Sequence, residues 1–506
     1  TEVAGGAANV ARNLVGLGLH VDIAGVTYVL NNGQSAGATG TNDWSTGALQ
    51  LREGPNTIVV QAADLAGNTG SDELQVTYDP SAVGNVNLCE NVPVSDTLQK
   101  TIPQMALPAY LSRVAEPTFG TTMIRISDAL PDGVIKPMYN TIQAWNADES
   151  RMILYHTGTE GNGHHIYDGN TYEHIKRLNI TPGDIEQVFW DFNDPDIFYY
   201  IHNNRGDANL FSHLVRYDIT DDSRTPIKDF SSICDEDAGV VGGSDIQMMS
   251  WDSNVIGVMC RRENKSWYYD IQNDVNGPVL KSGDGTVYNE RPAIMPAPSG
   301  DYFYHSGYIL DRDMEIAVQL DAASAFEHNS FGRTVDGRDA YFALAFAASP
   351  NGCDGGGDRG AGHLVLHDVE SGACRVIIGR SLGYDTPSIS GTHITALSYR
   401  NPGWAALSTI DLANIANADN FTSGQPAPLF FSEIYLANTD PANPVTCRLA
   451  HHRSYGKAAT VGAYNGYFAE PHLGLSPSGT RILFGSDWYD SGSVNTFVIE
   501  LPVHQP

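Results

Sequence analysis

The segment Glu470-Pro471-His472-Leu473-Gly474-Leu475-Ser476-Pro477-Ser478-Gly479-Thr480-Arg481-Ile482-Leu483-Phe484-Gly485-Ser486-Asp487-Trp488 reads as a strand, a tight polar turn at Ser478-Gly479 and a second strand of alternating apolar residues. That pattern is a β-hairpin signature. The same outline recurs upstream. Ile142 to Gly158 turns at Asp148-Glu149, Val188 to Asn203 at Asn193-Asp194, and Met248 to Arg262 at Asp252-Ser253. Ile294 to Gly307 turns at Ser299-Gly300, and Phe331 to Phe346 at Asp336-Gly337. A weaker copy without a turn signal spans Ser388 to Arg400. Copies spaced by roughly 40 to 80 residues, with a unit near 40–50, match the size of a four-stranded propeller blade. The expected fold is all-β, with a seven-bladed β-propeller over residues 116–506.

A net charge of −30 argues against nucleic acid or an anionic bilayer as partner. No apolar run is long enough to span a membrane. The six cysteines form no CxxC pair, which argues against a zinc ribbon. Cys353 and Cys374 flank a Gly/Asp-rich loop and are placed to staple it, while Cys89 and Cys447 are placed to fasten the ring where its ends meet. Both pairings favour an oxidising, secreted setting. Cys234 and Cys260 read equally well as buried free thiols. The chain opens at Thr1 rather than Met, so a preceding leader or tag is expected.

Residues 1–24 are left unassigned. Their Gly5-Gly6-Ala7-Ala8-Asn9-Val10-Ala11 is similar to the glycine stretch of ribokinase-type sugar kinases, with nothing downstream to complete that fold. Residues 25–80 carry short strands at Val26–Val29, Asn56–Ala62 and Leu74–Tyr78, with Asp43-Trp44-Ser45 a further candidate. Asp64-Leu65-Ala66-Gly67-Asn68 precedes the last strand. This resembles the small immunoglobulin-like β-sandwich modules of bacterial secreted enzymes, which implies spacing or docking rather than chemistry. Residues 81–115, with Pro93, Pro103 and Pro108, read as a linker. Asp354 and Asp358 in the loop Pro350–Gly360 are candidate calcium ligands.

In a propeller the innermost strand of each blade lines the channel, and its first residues ring one mouth. The residue about eight positions before each turn marks that mouth. The markers are Asn140, Glu186, Asp245, Arg291, His328 and Glu470, all polar. The returning strand brings His156, His202, Arg261 and His305 toward the same face. His451-His452-Arg453-Ser454, with Glu470 and His472, forms a second cluster that His393 is placed to join. Histidine and carboxylate donors of this kind suit a divalent metal, here Zn, Mn or Ca. The metal set is His393, His452, Glu470 and His472. His164-His165, in a Gly-rich turn, are expected to be exposed.

Gln143-Ala144-Trp145-Asn146-Ala147-Asp148, Asn401-Pro402-Gly403-Trp404, His451-His452-Arg453-Ser454 and Glu470-Pro471-His472 together resemble the seven-bladed propeller polysaccharide lyases, the group of the ulvan and oligogalacturonate lyases. Oligogalacturonate lyases place a metal-binding histidine pair before the last turn. This chain has His472 at one of those positions and Glu470 at the other. The resemblance implies β-elimination at a uronic acid in an acidic polysaccharide, by a monomer without an organic cofactor. Such an enzyme must neutralise the carboxylate and set a base beside C5. Arg261 and Arg291 are candidates to grip the carboxylate, and His156 or His202 to take the proton. Tyr139 or Tyr288 is a candidate base or acid. Asn140, Tyr139, Glu186, Asp245, His305 and His328 would contact substrate. Two other readings stay open: a non-catalytic glycan-binding propeller, and a hydrolase using Glu186 and Asp245 as paired acids.

Overall fold

The structure, a computed structural model, describes residues 23–30, 35–37, 39–40, 44–45, 54–64, 69–78, 86–158, 161–234, 240–241, 249–260, 265–281, 294–320, 328–345, 353, 363–379, 393–409, 426–455 and 467–504. Two compact units divide the chain, Thr1–Gly84 and Asn85–Pro506. Apart from a single turn of 3-10 helix at Tyr467–Ala469, the regular structure of the described residues is all strand.

In the first unit four antiparallel strands lie in the order Ser35–Gly37, Ile23–Leu30, Gly54–Asp64, Thr69–Tyr78. Val26, Ile58 and Ala62 are buried, as alternation along the strands requires. A separate two-stranded sheet joins Thr39–Gly40 to Trp44–Ser45.

The described residues of the second unit form seven sheets of four or five strands. Six are built in chain order, save that the third also sets Leu280–Lys281 beside Lys265–Asp270. The hairpins fall where the sequence places them in five cases. The sixth is shifted, because its inner strands are His393–Thr395 and Trp404–Ser408, and the turn between them is closed by the Asn401 N–H donating to the Ser398 carbonyl at 3.0 Å. Gly403 has φ +92°, and a Cβ there would meet Val335 at 2.5 Å, so glycine is required.

The seventh sheet closes the ring. Leu473–Leu475, Arg481–Ser486 and Asn495–Glu500 come from the end of the chain, while Thr122–Arg125 and Arg113–Ala115 are added from its beginning. One apolar cluster then joins the first sheet to the last through Trp145, Met152 and Leu154 against Leu483 and Val498. Similar clusters bridge the sheets between, so each sheet buries its faces on its neighbours.

From Val86 onward, the stretch expected to be a linker is part of this unit. Leu88 is fully buried against Gly479 and the core of the last sheets. Lys100–Thr101 pairs with Pro426–Ala427, and the Trp488 indole N–H donates to the Met105 carbonyl at 3.0 Å. Proline in this stretch marks a chain that wraps a surface rather than one that hangs free. Disulfides join Cys89 to Cys447 and Cys353 to Cys374, as spacing suggested. Cys234 and Cys260, which read equally as free thiols, are also bonded to each other.

Candidate metal centre

The innermost strands bring their first residues together. His393 opens the inner strand of the sixth sheet, Glu470 and His472 lead into that of the seventh, and His328 immediately precedes that of the fifth, Asn329–Arg333. In the first sheet the inner strand is interrupted. Val134–Lys136 pairs at one end and Trp145 bridges Met152 at the other, leaving Tyr139 and Asn140 in the break.

One donor atom each from His393, Glu470 and His472 lies within 4.8 Å of the other two. His393 Nε2 stands 3.8 Å from Glu470 Oε2. The His393 and His472 rings meet edge to face with centroids 4.5 Å apart, and His328 follows 5.1 Å from His393. Tyr139 packs against both His393 and His472, and Tyr467 also packs against His472. All three donor residues are buried.

The local backbone explains the convergence. The His472 N–H donates to the Glu470 carbonyl at 2.6 Å, a three-residue turn centred on Pro471, whose ring already fixes φ. Ser408 Oγ donates to the Pro471 carbonyl at 2.9 Å, and Ser454 Oγ to that of Ala469. Asn140 Nδ2 donates to the carbonyl of Ile394, next to His393.

Burial, with His393, Lys136 and His328 nearby, holds the His472 imidazole well below its usual pKa. It is therefore neutral and offers a lone pair. Among the described residues neither of its ring nitrogens has a hydrogen-bond partner. A buried, unsatisfied imidazole beside a second imidazole and a carboxylate fits a divalent cation. Two nitrogens and one oxygen suit a borderline first-row ion better than calcium, which takes oxygen.

Lys136 and Glu186 form a buried pair at 3.2 Å beside this centre. Lys136 Nζ also stands over the Phe468 ring at 4.9 Å. The sequence reading missed Lys136 and Tyr467. Lys136 lies just upstream of the marked mouth position on the same inner strand, so an allowance for an interrupted strand would have found it. Tyr467 follows no strand pattern.

Other expected site residues lie elsewhere. His452 is not a ligand: its Nε2 bonds the Thr409 carbonyl at 2.8 Å, and its Nδ1 accepts the Ser454 N–H at 3.0 Å. His451 stands between Glu116 and Glu433, 3.7 and 3.9 Å away, so the four-residue cluster divides. His202, just after the strand Ile197–Ile201, lies among Thr181, Tyr200 and Asp207, and His305 faces Ser266 at 3.4 Å. His156 stacks on His165 in the first sheet, and its pKa is pushed down to about 3 by burial and the histidines beside it. His164 and His165, expected to be exposed, are buried in the strand Gly163–Asp168. Asp245, Arg261, Tyr288, Arg291, Asp354 and Asp358 lie outside the described residues.

The solved structures similar to this chain include two oligogalacturonate lyases. One is an oligogalacturonate lyase in complex with manganese, with TM-score 0.51 and 16% identity, covering 80% of this chain and 98% of that one. The other is an oligogalacturonate lyase from Vibrio parahaemolyticus, with TM-score 0.50 and 13% identity, covering 78% of this chain and 96% of that one. At such identity the likeness shows the propeller fold. No family model matches the chain, and no curated protein matches it either.

Proposed function

We propose that the second unit is a seven-bladed, metal-dependent polysaccharide lyase that cleaves a uronate-containing chain by β-elimination. The observation that carries this reading is the buried His393–Glu470–His472 triad at the mouth of a fold shared with oligogalacturonate lyases. A cation held there, such as manganese or zinc, would neutralise the substrate carboxylate and make the α-proton easier to remove. His393, Glu470 and His472 would hold that ion. Tyr139, against the two histidine rings, would contact substrate. Glu186 is engaged by Lys136, which removes one of the two acids a paired-carboxylate hydrolase would use. The four-stranded first unit is read as an immunoglobulin-like spacer or docking module, with residues 1–24 apart from it, and the chain as secreted and monomeric.

The test is ultraviolet absorbance of the unsaturated uronate product on a panel of uronate polysaccharides, with and without chelator. A rise on one substrate that chelator abolishes is expected. Saccharide binding without unsaturated product would replace the lyase by a glycan-binding propeller. New reducing ends without a double bond would replace it by a hydrolase.

A further inference from the structure

The disulfide Cys353–Cys374 differs from the other two in its surroundings. Cys447, Cys234 and Cys260 are buried, so each of the other bonds has at least one cysteine shut away from solvent. Cys353 and Cys374 are both only half-buried. Register on the antiparallel strands His363–Asp368 and Cys374–Ile378 sets His367 directly opposite Cys374. The turn joining these strands is fixed by Ser371, whose N–H and hydroxyl donate to Asp368 Oδ1 at 2.9 and 2.6 Å. His367 Nε2 then lies 3.7 Å from Cys374 Sγ and 3.9 Å from Cys353 Sγ. One imidazole borders both sulfurs.

Cys374 also lines a cavity of about 470 Å³, together with Asp336, Arg338, Asp368, Arg375 and Thr439. That volume is in the range of small-molecule sites. Arg338 is held by Asp336 and Asp368. Arg375 is not balanced in this way. Its guanidinium donates to the Thr439 carbonyl, and among the described residues no carboxylate lies within ion-pairing distance of it. Burial pushes its pKa down, the direction expected of a cation short of counter-charge. The cavity therefore presents a disulfide sulfur and an unbalanced guanidinium, on adjacent residues, to the same space.

Accessible disulfides are the labile ones, and exchange is faster where the departing sulfur is stabilised as a thiolate. We propose that Cys353–Cys374 is a thiol-exchange site for a small thiol that carries a carboxylate. Arg375 holds the carboxylate in the cavity, since a guanidinium pairs with it bidentately. The incoming sulfur bonds to Cys374 Sγ as the Cys353–Cys374 bond breaks. The electron pair of the broken bond leaves on Cys353 Sγ, beside His367, and the proton given up by the incoming thiol ends there. One disulfide and one thiol become another disulfide and another thiol, with no net oxidation.

The experiment exposes the full folded chain to reduced glutathione, quenches with iodoacetamide at intervals and maps the peptides by mass. Neutral β-mercaptoethanol is run in parallel, on the wild type and on Arg375→Gln. Glutathione is expected on Cys374 and the alkyl group on Cys353, while Cys89–Cys447 and Cys234–Cys260 stay linked. Arg375→Gln should slow the glutathione reaction about tenfold, the loss of one charge-assisted contact, and leave the β-mercaptoethanol rate unchanged. The neutral thiol thus reports any general loosening of the fold in the variant. Loss of all three disulfides at one rate, or glutathione on Cys353 instead of Cys374, would overturn the proposal. So would equal slowing of both thiols in Arg375→Gln.

Discussion

His393 Nε2 lies 3.8 Å from Glu470 Oε2, although the two residues belong to different sheets and meet only once the ring has formed. The carboxylate is what separates this centre from an all-histidine one, and it supplies negative charge where a cation would sit. Glu470→Gln keeps the shape and removes that charge. Manganese affinity is expected to fall by roughly 10- to 100-fold, with product formation falling in parallel. Calorimetric titration of wild type and variant checks this, and equal affinities would remove Glu470 from the ligand set.

Lys136 and Glu186 are both buried and form an ion pair at 3.2 Å. Lys136→Met leaves Glu186 without its lysine in a low-dielectric setting, and about 3–5 kcal/mol of stability should be lost. The double variant Lys136→Met/Glu186→Gln should recover much of that loss. Urea unfolding of the two variants measures it; equal losses in both would mean that the pair is not the source.

Leu88 tests whether the segment ahead of the ring is structural. Its side chain is fully buried in the core of the last two sheets. Leu88→Ala should cost about 2–5 kcal/mol in thermal or urea unfolding of the second unit. A tethering linker would show no effect.

Asp487 supplies a pH dependence. Burial raises its pKa from 3.8 to about 7, against the hydrogen bonds it accepts from the Tyr455 and Asp490 N–H groups. Because the folded value is the higher one, the folded state binds the proton more tightly. Asp487 therefore subtracts stability progressively as pH rises from about 4 to 7, and the full penalty remains above that. Asp487→Asn keeps the acceptor oxygen and cannot ionise. Its stability relative to wild type should grow across that interval and level off beyond it. Melting temperatures of both proteins across the range measure the effect, and a constant difference would assign the titration to other groups.

Much of the architecture was legible because it rests on local rules. Two-residue periodicity and polar turns such as Ser478-Gly479 report strands without knowledge of their partners. The sixth hairpin is misplaced because its turn, Ser398-Tyr399-Arg400-Asn401, holds no glycine or aspartate to signal it and falls at the end of the expected repeat rather than at its middle. The mouth markers Asn140, Glu186, His328 and Glu470 do cluster near one end of the inner strands, since distance along a strand is fixed by its rise. The returning-strand histidines were harder to place, because a position along a strand does not tell which face its side chain takes. One residue of register separates His164, turned toward Ile185, from His165, stacked on His156. His452 shows another limit: backbone acceptors created by tertiary packing compete for imidazole nitrogens, and sequence spacing carries no record of them.

The seventh sheet borrows Arg113–Ala115 and Thr122–Arg125 from the early part of the chain and pairs Thr122–Arg125 with Asn495–Glu500 near its end. On the ribosome, those early strands emerge long before their partner exists. At about 5–20 residues per second, they wait for roughly tens of seconds with open hydrogen-bonding edges. The intermediate sheets are completed from strands close in sequence, while the opening strands have only each other. During biosynthesis, then, the edge most exposed to mispairing or to chaperone capture belongs to the part of the second unit made before that unit's first complete sheet.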